Sequence, residues 1–278
     1  MSQSLLQASD IALGYPAEGG WHAVLEGFEL NLARGEVVSI LGPSGVGKSS
    51  LLRVLAGLQQ PASGHIELLG EAIAGPHPRV AVAFQDPSLL PWLSLAKNVA
   101  FGLDFARQPR LDKAALAARV DEAIAAVGLE HARERLPAQL SGGMAQRTAL
   151  ARCLARQPQV LLLDEPFGAL DEVTRADMQQ LLLQVIHQRG TAVVLITHDI
   201  DEALLLSDRI LLLGDTPART LGEWRIELPQ PRAELVEELG ALRVAILKTL
   251  RRASRTPTPD SPAPETAHVH GRPQTLSP

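Results

Sequence analysis

Glu36-Val37-Val38-Ser39-Ile40-Leu41 runs directly into Gly42-Pro43-Ser44-Gly45-Val46-Gly47-Lys48-Ser49. The first six residues read as a short apolar strand. The next eight are a glycine-spaced turn ending in a lysine and a hydroxyl. A helical pattern follows, with Leu51, Leu52, Val54 and Leu55 on one side and an end near Gly57. Glycines let the backbone wrap so that successive N–H groups converge on phosphate oxygens. The helix opening at Gly47 adds its positive dipole end. Lys48 then reaches the β- and γ-phosphates and Ser49 is placed to ligate Mg²⁺. Lysine suits this task as a compact charge on a flexible stem. Its presence carries weight here, because the chain has four lysines against 22 arginines. Gly42, Pro43, Ser44, Gly45, Val46, Gly47, Lys48, Ser49 and the adjoining Ser50 are therefore read as a site for ATP or GTP.

Such a loop needs acidic groups for the metal and for water. Val160-Leu161-Leu162-Leu163 is a continuous apolar run, as in a buried strand, and Asp164-Glu165 follow it. Carboxylates at the C-terminal end of a strand sit where open α/β sheets bind ligands. Asp164 is expected to help hold Mg²⁺, and Glu165 to polarise the attacking water as general base.

Further strands are expected at Val80–Phe84, Ala192–Thr197 and Arg209–Leu213. Between Pro87 and Pro158 the pattern becomes helical. Leu116, Val120, Ile124 and Val127 form a stripe over Asp112–Gly128, and Leu140–Gln157 is a second helical stretch. The expected fold is thus an α/β nucleotide-binding core with an inserted helical subdomain. The tail from Arg251 to Pro278 has six prolines and little apolar content, and is expected to be disordered.

Leu140-Ser141-Gly142-Gly143-Met144-Ala145-Gln146 narrows the reading. Alone it is a turn before a helix with Ser141 as N-cap. It resembles the LSGGQ signature of ABC ATPases. Other landmarks of that family appear in order: Gln85 after an apolar strand, Ala169-Leu170-Asp171 like the D-loop, and Thr197-His198-Asp199 like the switch histidine. The resemblance covers roughly Leu5 to Leu228. It implies a P-loop, RecA-like core (about 1–86 and 158–230) preceded by an antiparallel β segment. It also implies a helical subdomain (about 87–157) within an ATPase domain of 1–250, with the tail at 251–278.

The resemblance also implies a head-to-tail homodimer. ATP on one Lys48 loop would be closed over by Ser141, Gly142 and Gly143 of the other chain. His198 would contact the γ-phosphate, and Gln85 would link Mg²⁺ to the partner-facing loop. The family places an aromatic under the adenine; Tyr15 is the first choice and Trp21, after a small insertion, the alternative.

Asp86-Pro87-Ser88-Leu89-Leu90-Pro91-Trp92-Leu93-Ser94-Leu95-Ala96-Lys97-Asn98-Val99-Ala100-Phe101-Gly102-Leu103 looks like the nitrate/sulfonate/taurine group of ABC import ATPases. Phe167 to Asp171, Thr174-Arg175 and Met178-Gln179 add to the match. Leu89, Leu90 and Trp92 are read either as the surface that receives a coupling helix of a membrane permease or as core of the helical subdomain. The implied partners are permease subunits and, through them, a periplasmic solute-binding protein. The implied location is the cytoplasmic face of the inner membrane. An exporter or lipid-extraction motor, or a non-transport ATPase acting on DNA or ribosomes, are the alternatives. The substrate need not touch this chain, so its identity rests on resemblance alone.

Composition agrees with that reading. With 46% hydrophobic and 21% charged residues, the 278-residue chain reads as an ordinary globular protein. A net charge of −5 offers no basic face for nucleic acid, so no such partner is expected. No apolar run approaches the ~20 residues of a membrane-spanning helix, and no secretory leader is expected. The single cysteine, Cys153, is read as a small buried hydrophobe.

Overall fold

The computed structural model describes residues 4–18 and 20–253. Its centre is a sheet of six strands. β1 (Ser4–Ala17) and β2 (Gly20–Ala33) precede it as a hairpin, and β3 (Val37–Leu41) is the strand entering the glycine-rich turn. The other strands are β4 (Ser63–Leu68), β5 (Glu71–Ala72), β6 (Val80–Ala83), β7 (Val160–Asp164), β8 (Ala192–Ile196), β9 (Arg209–Gly214) and β10 (Arg219–Arg225). The large sheet has the order β10-β9-β3-β8-β7-β6, parallel except for the antiparallel edge strand β10.

Parallel strands covered on both faces carry apolar side chains at every position. β3, β7 and β8 come close to this, with Ser39 and the terminal Asp164 as their polar residues, and all their residues are buried. The faces still divide with period two. Leu161 and Leu163 of β7, with Val193 and Leu195 of β8, face the core shared with the helical subdomain. Val160, Leu162, Ala192, Val194 and Ile196 face the second sheet. Each of the Val, Leu and Ile side chains among these contributes about 1.5–3 kcal/mol on burial.

The second sheet has the order β2-β1-β4-β5 and is antiparallel. Its inner face is set by alternation: Leu6, Ala8, Ile11 and Leu13 from β1, and Phe28, Leu30 and Leu32 from β2. Register shifts interrupt the β1–β2 pairing at several points. Such bulges increase local twist, so the hairpin wraps over the core.

The helices are α1 (Lys48–Leu55), α2 (Leu95–Ala100), α3 (Lys113–Ala126), α4 (Gly142–Ala155), α5 (Glu172–Arg189), α6 (Ile200–Leu206) and α7 (Val236–Ala253). α1 buries Leu51, Leu52, Val54 and Leu55 against the core between the sheets. α2, α3 and α4 form the helical subdomain, as expected for the segment between Pro87 and Pro158. In α3 the predicted stripe holds: Val120, Ile124 and Val127 are buried and Leu116 packs beside them. Asp112 caps α3, accepting from Ala115 N at 2.7 Å. Asp171 caps α5, accepting from Thr174 N at 3.0 Å.

Cys153 is buried as read from sequence. It donates to Val82 O at 3.2 Å, and burial pushes its thiol up to about 11. One boundary moves. Arg251 and Arg252 continue α7, so the chain stays helical beyond the expected start of the tail. The cause is the apolar stripe Leu239, Leu242, Ile246 and Leu250, which packs with Ile226 and Ala203. Residues 254–278 of the predicted tail lie outside the described residues. Among the described residues no helix is long and apolar enough to cross a membrane.

Candidate nucleotide site

The parallel strands end side by side, and the predicted chemistry lies at that one edge. Ala83 of β6 pairs with Leu163 of β7, and Asp164 pairs with Ile196 of β8. The residues just beyond those strands are therefore neighbours: Gln85, Glu165 and His198. β3 delivers the 42–49 loop to the same edge.

The loop's shape depends on its glycines at two positions. Gly47 has φ +97, and a Cβ there would come within 2.8 Å of Val24 Cγ1. A Cβ on Gly42 would lie 2.7 Å from the Leu213 carbonyl oxygen. The loop is thus pressed between β2 and β9, and a larger residue at either place displaces it. Gly47 is the N-cap of α1, so helix N–H groups open toward the turn.

Lys48 is buried, and its Nζ donates to Gly42 O and Pro43 O, each at 2.8 Å. Burial holds its pKa below the ordinary value, while Glu165 and Asp164 pull it back up. Asp164 is 5% exposed. Burial raises its pKa, and a hydrogen bond from the Ser49 side chain opposes that rise. A buried ammonium gains from an anionic ligand and a buried carboxylate from a cation.

Glu165 stands at φ +46, a left-handed conformation that is uncommon for a non-glycine residue. Its N–H donates to Ile196 O at 2.9 Å, which ties the turn to β8. Its carboxylate receives Gln85 Nε2 at 3.4 Å and lies 3.2 Å from His198 Nδ1. Gln85, Glu165 and His198, read separately from sequence, thus form one contact group. The His198 side chain remains 69% exposed and the Glu165 side chain 22%.

Ser141 caps α4, accepting from Met144 N at 3.2 Å. Ser141 and Gly142 are exposed. A Cβ on Gly143 would come 3.2 Å from Leu170 Cδ2, so this segment packs against the Ala169–Asp171 turn. Among the described residues no hydrogen bond or ion pair joins Ser141, Gly142 or Gly143 to residues 42–50. The chain does not bring these two halves of the expected site together by itself.

Tyr15 and Trp21 are both exposed, at 53% and 58%. The Trp21 ring lies over Gly14, where a Cβ would sit 2.6 Å from it. The Tyr15 ring centroid is 4.9 Å from that of His22. Trp92 is 71% exposed, whereas Leu89 and Leu90 are half-buried. Asn98 fixes this loop, receiving Leu90 N at 2.8 Å on Oδ1 and donating from Nδ2 to Leu93 O at 2.9 Å. Arg152 grips it from α4 through Pro87 O and Ser88 O, at 2.9 and 3.0 Å.

Sequence reasoning missed one group beside this site. Glu202, on α6, is 7% exposed, and its Oε1 has no hydrogen-bond partner. Its pKa is raised to about 7, by burial first and then by Asp199, with Arg175 opposing. Arg175 donates to Leu170 O at 3.2 Å, and its Nε has no partner. Neither residue belongs to a contiguous motif, and Thr174-Arg175 entered the sequence reading only as part of a family likeness.

A glycine-rich turn ending in Lys48 and Ser49 beyond β3, an acid pair at the end of β7 and a polar group from the ends of β6 and β8 at one sheet edge define an ATP-hydrolysing P-loop cassette. The ABC transporter family model matches residues 25–168, and the chain belongs to that family. It is 46% identical over 235 residues to the aliphatic sulfonates import ATP-binding protein SsuB 2 of Burkholderia cenocepacia, covering 84% of each chain. It is 44% identical over 228 residues to the bicarbonate transport ATP-binding protein CmpC of Synechococcus elongatus, covering 81% of this chain and 34% of that one. Among solved structures it is similar to the ATP-binding cassette MJ0796, seen as a dimer in a post-hydrolysis state with ADP and phosphate. That likeness has a TM-score of 0.74 and 29% identity over 81% of this chain and all of that one.

Proposed function

We propose that this chain is the motor subunit of an importer for a small solute such as a sulfonate, nitrate or taurine. The observation that carries the reading is the rigidly held 86–93 loop. It presents Trp92 to solvent directly beyond Gln85, which itself touches Glu165. An exposed aromatic on a fixed loop suits a protein contact. A partner pressing there has a short path to the hydrolytic group. The names of the curated relatives, import proteins for aliphatic sulfonates and transport proteins for bicarbonate, support the solute class.

In the proposed mechanism, backbone N–H groups of residues 42–49 and the Lys48 ammonium hold the ATP phosphates. Tyr15, the first choice from the family resemblance, stacks on adenine, with Trp21 as the alternative; both are exposed on the β1–β2 hairpin. Ser49, Asp164 and Gln85 offer the hard oxygen donors that Mg²⁺ prefers. Among the described residues there is no cluster of three acidic, histidine or cysteine ligands. When bound, Mg²⁺ supplies charge neutralisation at the β- and γ-phosphates. Glu165 orients and polarises the attacking water, and His198, beside the Glu165 carboxylate, contacts the γ-phosphate. Ser141 and the N-terminus of α4, turned outward here, close over the ATP of a second chain in a head-to-tail homodimer. The assembly sits on the cytoplasmic face of the inner membrane through permease subunits, which receive solute from a periplasmic binding protein.

The deciding experiment reconstitutes the chain with a candidate permease in proteoliposomes containing ATP and offers an external binding protein loaded with alkanesulfonate, nitrate or bicarbonate. ATP-dependent accumulation of one of these is expected. Outward pumping, or no association with any permease, overturns the importer reading.

A further inference from the structure

A cavity of about 530 Å³ lies away from the phosphate loop. Its walls come from the β4–β5 turn, the loop leading into β6, the loop between α2 and α3, and the end of α4. His77, Arg79, Arg107 and Arg156 converge there, with Glu71 as the sole carboxylate in the lining. This is an unusual concentration of positive charge in a chain whose net charge is −5.

The arginines of this cavity lack counter-charges. Arg133, Arg189, Arg209, Arg219 and Arg243 each hold a carboxylate. Arg79, Arg107 and Arg156 form no ion pair among the described residues. Arg156 is half-buried and meets neutral oxygens only: Pro78 O at 3.4 Å and, with the Gln108 amide turned to face it, Gln108 Oε1 at 2.9 Å. Burial disfavours its charged form. His77 is likewise held down, by burial and by Arg79 and Arg107, with Glu71 opposing. A half-buried cation without an acid is costly, and a bound anion offsets that cost. The volume falls within the range of small-molecule sites. Guanidinium groups from separate segments match the several oxygens of a tetrahedral anion.

We propose that this cavity is a second ligand site, for a small tetrahedral oxyanion, free or as the sulfonate or phosphate head of a small organic molecule. The anion would bridge the helical subdomain, through Arg107 and Arg156, to the β4–β6 side, through His77 and Arg79. Arg156 is the C-cap of α4 and Ser141 its N-cap. An occupant therefore braces the helix that presents the signature segment. The site is independent of the importer reading and stands or falls separately from it.

The test is calorimetric titration of the ADP-saturated chain with sulfate, inorganic phosphate and methanesulfonate. Saturable one-to-one binding on the order of millimolar is expected. Arg156→Gln should weaken it by about tenfold or more, as for loss of a charge-assisted hydrogen bond. Arg107→Gln, on an exposed loop, serves if Arg156→Gln does not fold, and should also weaken binding. Retention of methanesulfonate binding identifies the organic head group as the source; binding of sulfate and phosphate alone identifies the free ion. No saturable binding at tens of millimolar overturns the proposal. So does binding that survives both arginine substitutions, which places the anion at the phosphate loop instead.

Discussion

Replacing Glu202 by Gln should make the protein more stable, and the gain should grow with pH. The carboxylate is 7% exposed, and its pKa is raised from the ordinary 4.5 to about 7. A raised acid pKa means the folded state favours the neutral form. The corresponding stability is complete below about pH 4.5 and is lost as pH rises through about 7. The full loss is ~3 kcal/mol, from about 1.36 kcal/mol per pKa unit. Part is already lost at pH 5.5, so the difference between Gln and Glu should widen by about 2 kcal/mol from pH 5.5 to 8.5. Glutamine keeps the shape and the neutral hydrogen bonding while removing the titration. Urea unfolding of both proteins, monomeric and free of nucleotide, at pH 5.5, 7 and 8.5 measures this directly. In a domain of this size the pH 8.5 difference corresponds to roughly 6–12 °C in Tm. A difference that stays flat across pH refutes the reasoning, because a packing effect of the substitution does not titrate. A loss of stability at pH 8.5 refutes it more strongly: it would mean that the ionised carboxylate is paired with Arg175.

Glu165→Gln should lower ATP turnover by at least ~100-fold while ATP binding persists and a nucleotide-bound dimer accumulates; a phosphate-release assay with size-exclusion chromatography checks both. Lys48→Ala should weaken ATP affinity by about tenfold or more in equilibrium binding, since it removes a charge-assisted contact to phosphate. Ser141→Arg should abolish hydrolysis yet leave ATP affinity of the dilute monomer unchanged, because Ser141 has no contact with its own phosphate loop. Equal losses in both measurements would place Ser141 in cis. Trp92→Ala should reduce co-purification with the permease while nucleotide affinity holds.

The residues proposed to hold phosphate and water were readable from sequence because their chemistry is local. The 42–49 turn must be contiguous to wrap one phosphate chain. Asp164 and Glu165 must follow an apolar strand to stand at its end. β3, β7 and β8 were readable for a related reason: strands buried on both faces are near-continuous apolar runs, here with Ser39 and the terminal Asp164 as the polar residues. The β1–β2 hairpin was expected only as an antiparallel segment. Its bulges break the alternation that would have marked its bounds. α7 was not read as a helix, and the tail was expected from Arg251, because the basic end of the helix resembles the start of the tail while the Ile246 and Leu250 contacts that hold it come from elements distant in sequence.

Tertiary structure alone decided the rest. An apolar side chain reads the same in a core and on a docking surface, so only the packing of Asn98 and Arg152 around the 86–93 loop showed Trp92 facing solvent. Glu202 is an ordinary helix residue until α6 packs it out of water beside Arg175. The arginines at 79, 107 and 156 become a charge cluster only when separate loops meet. Local chemistry is written in neighbouring residues; burial and charge depend on what the fold places across from them.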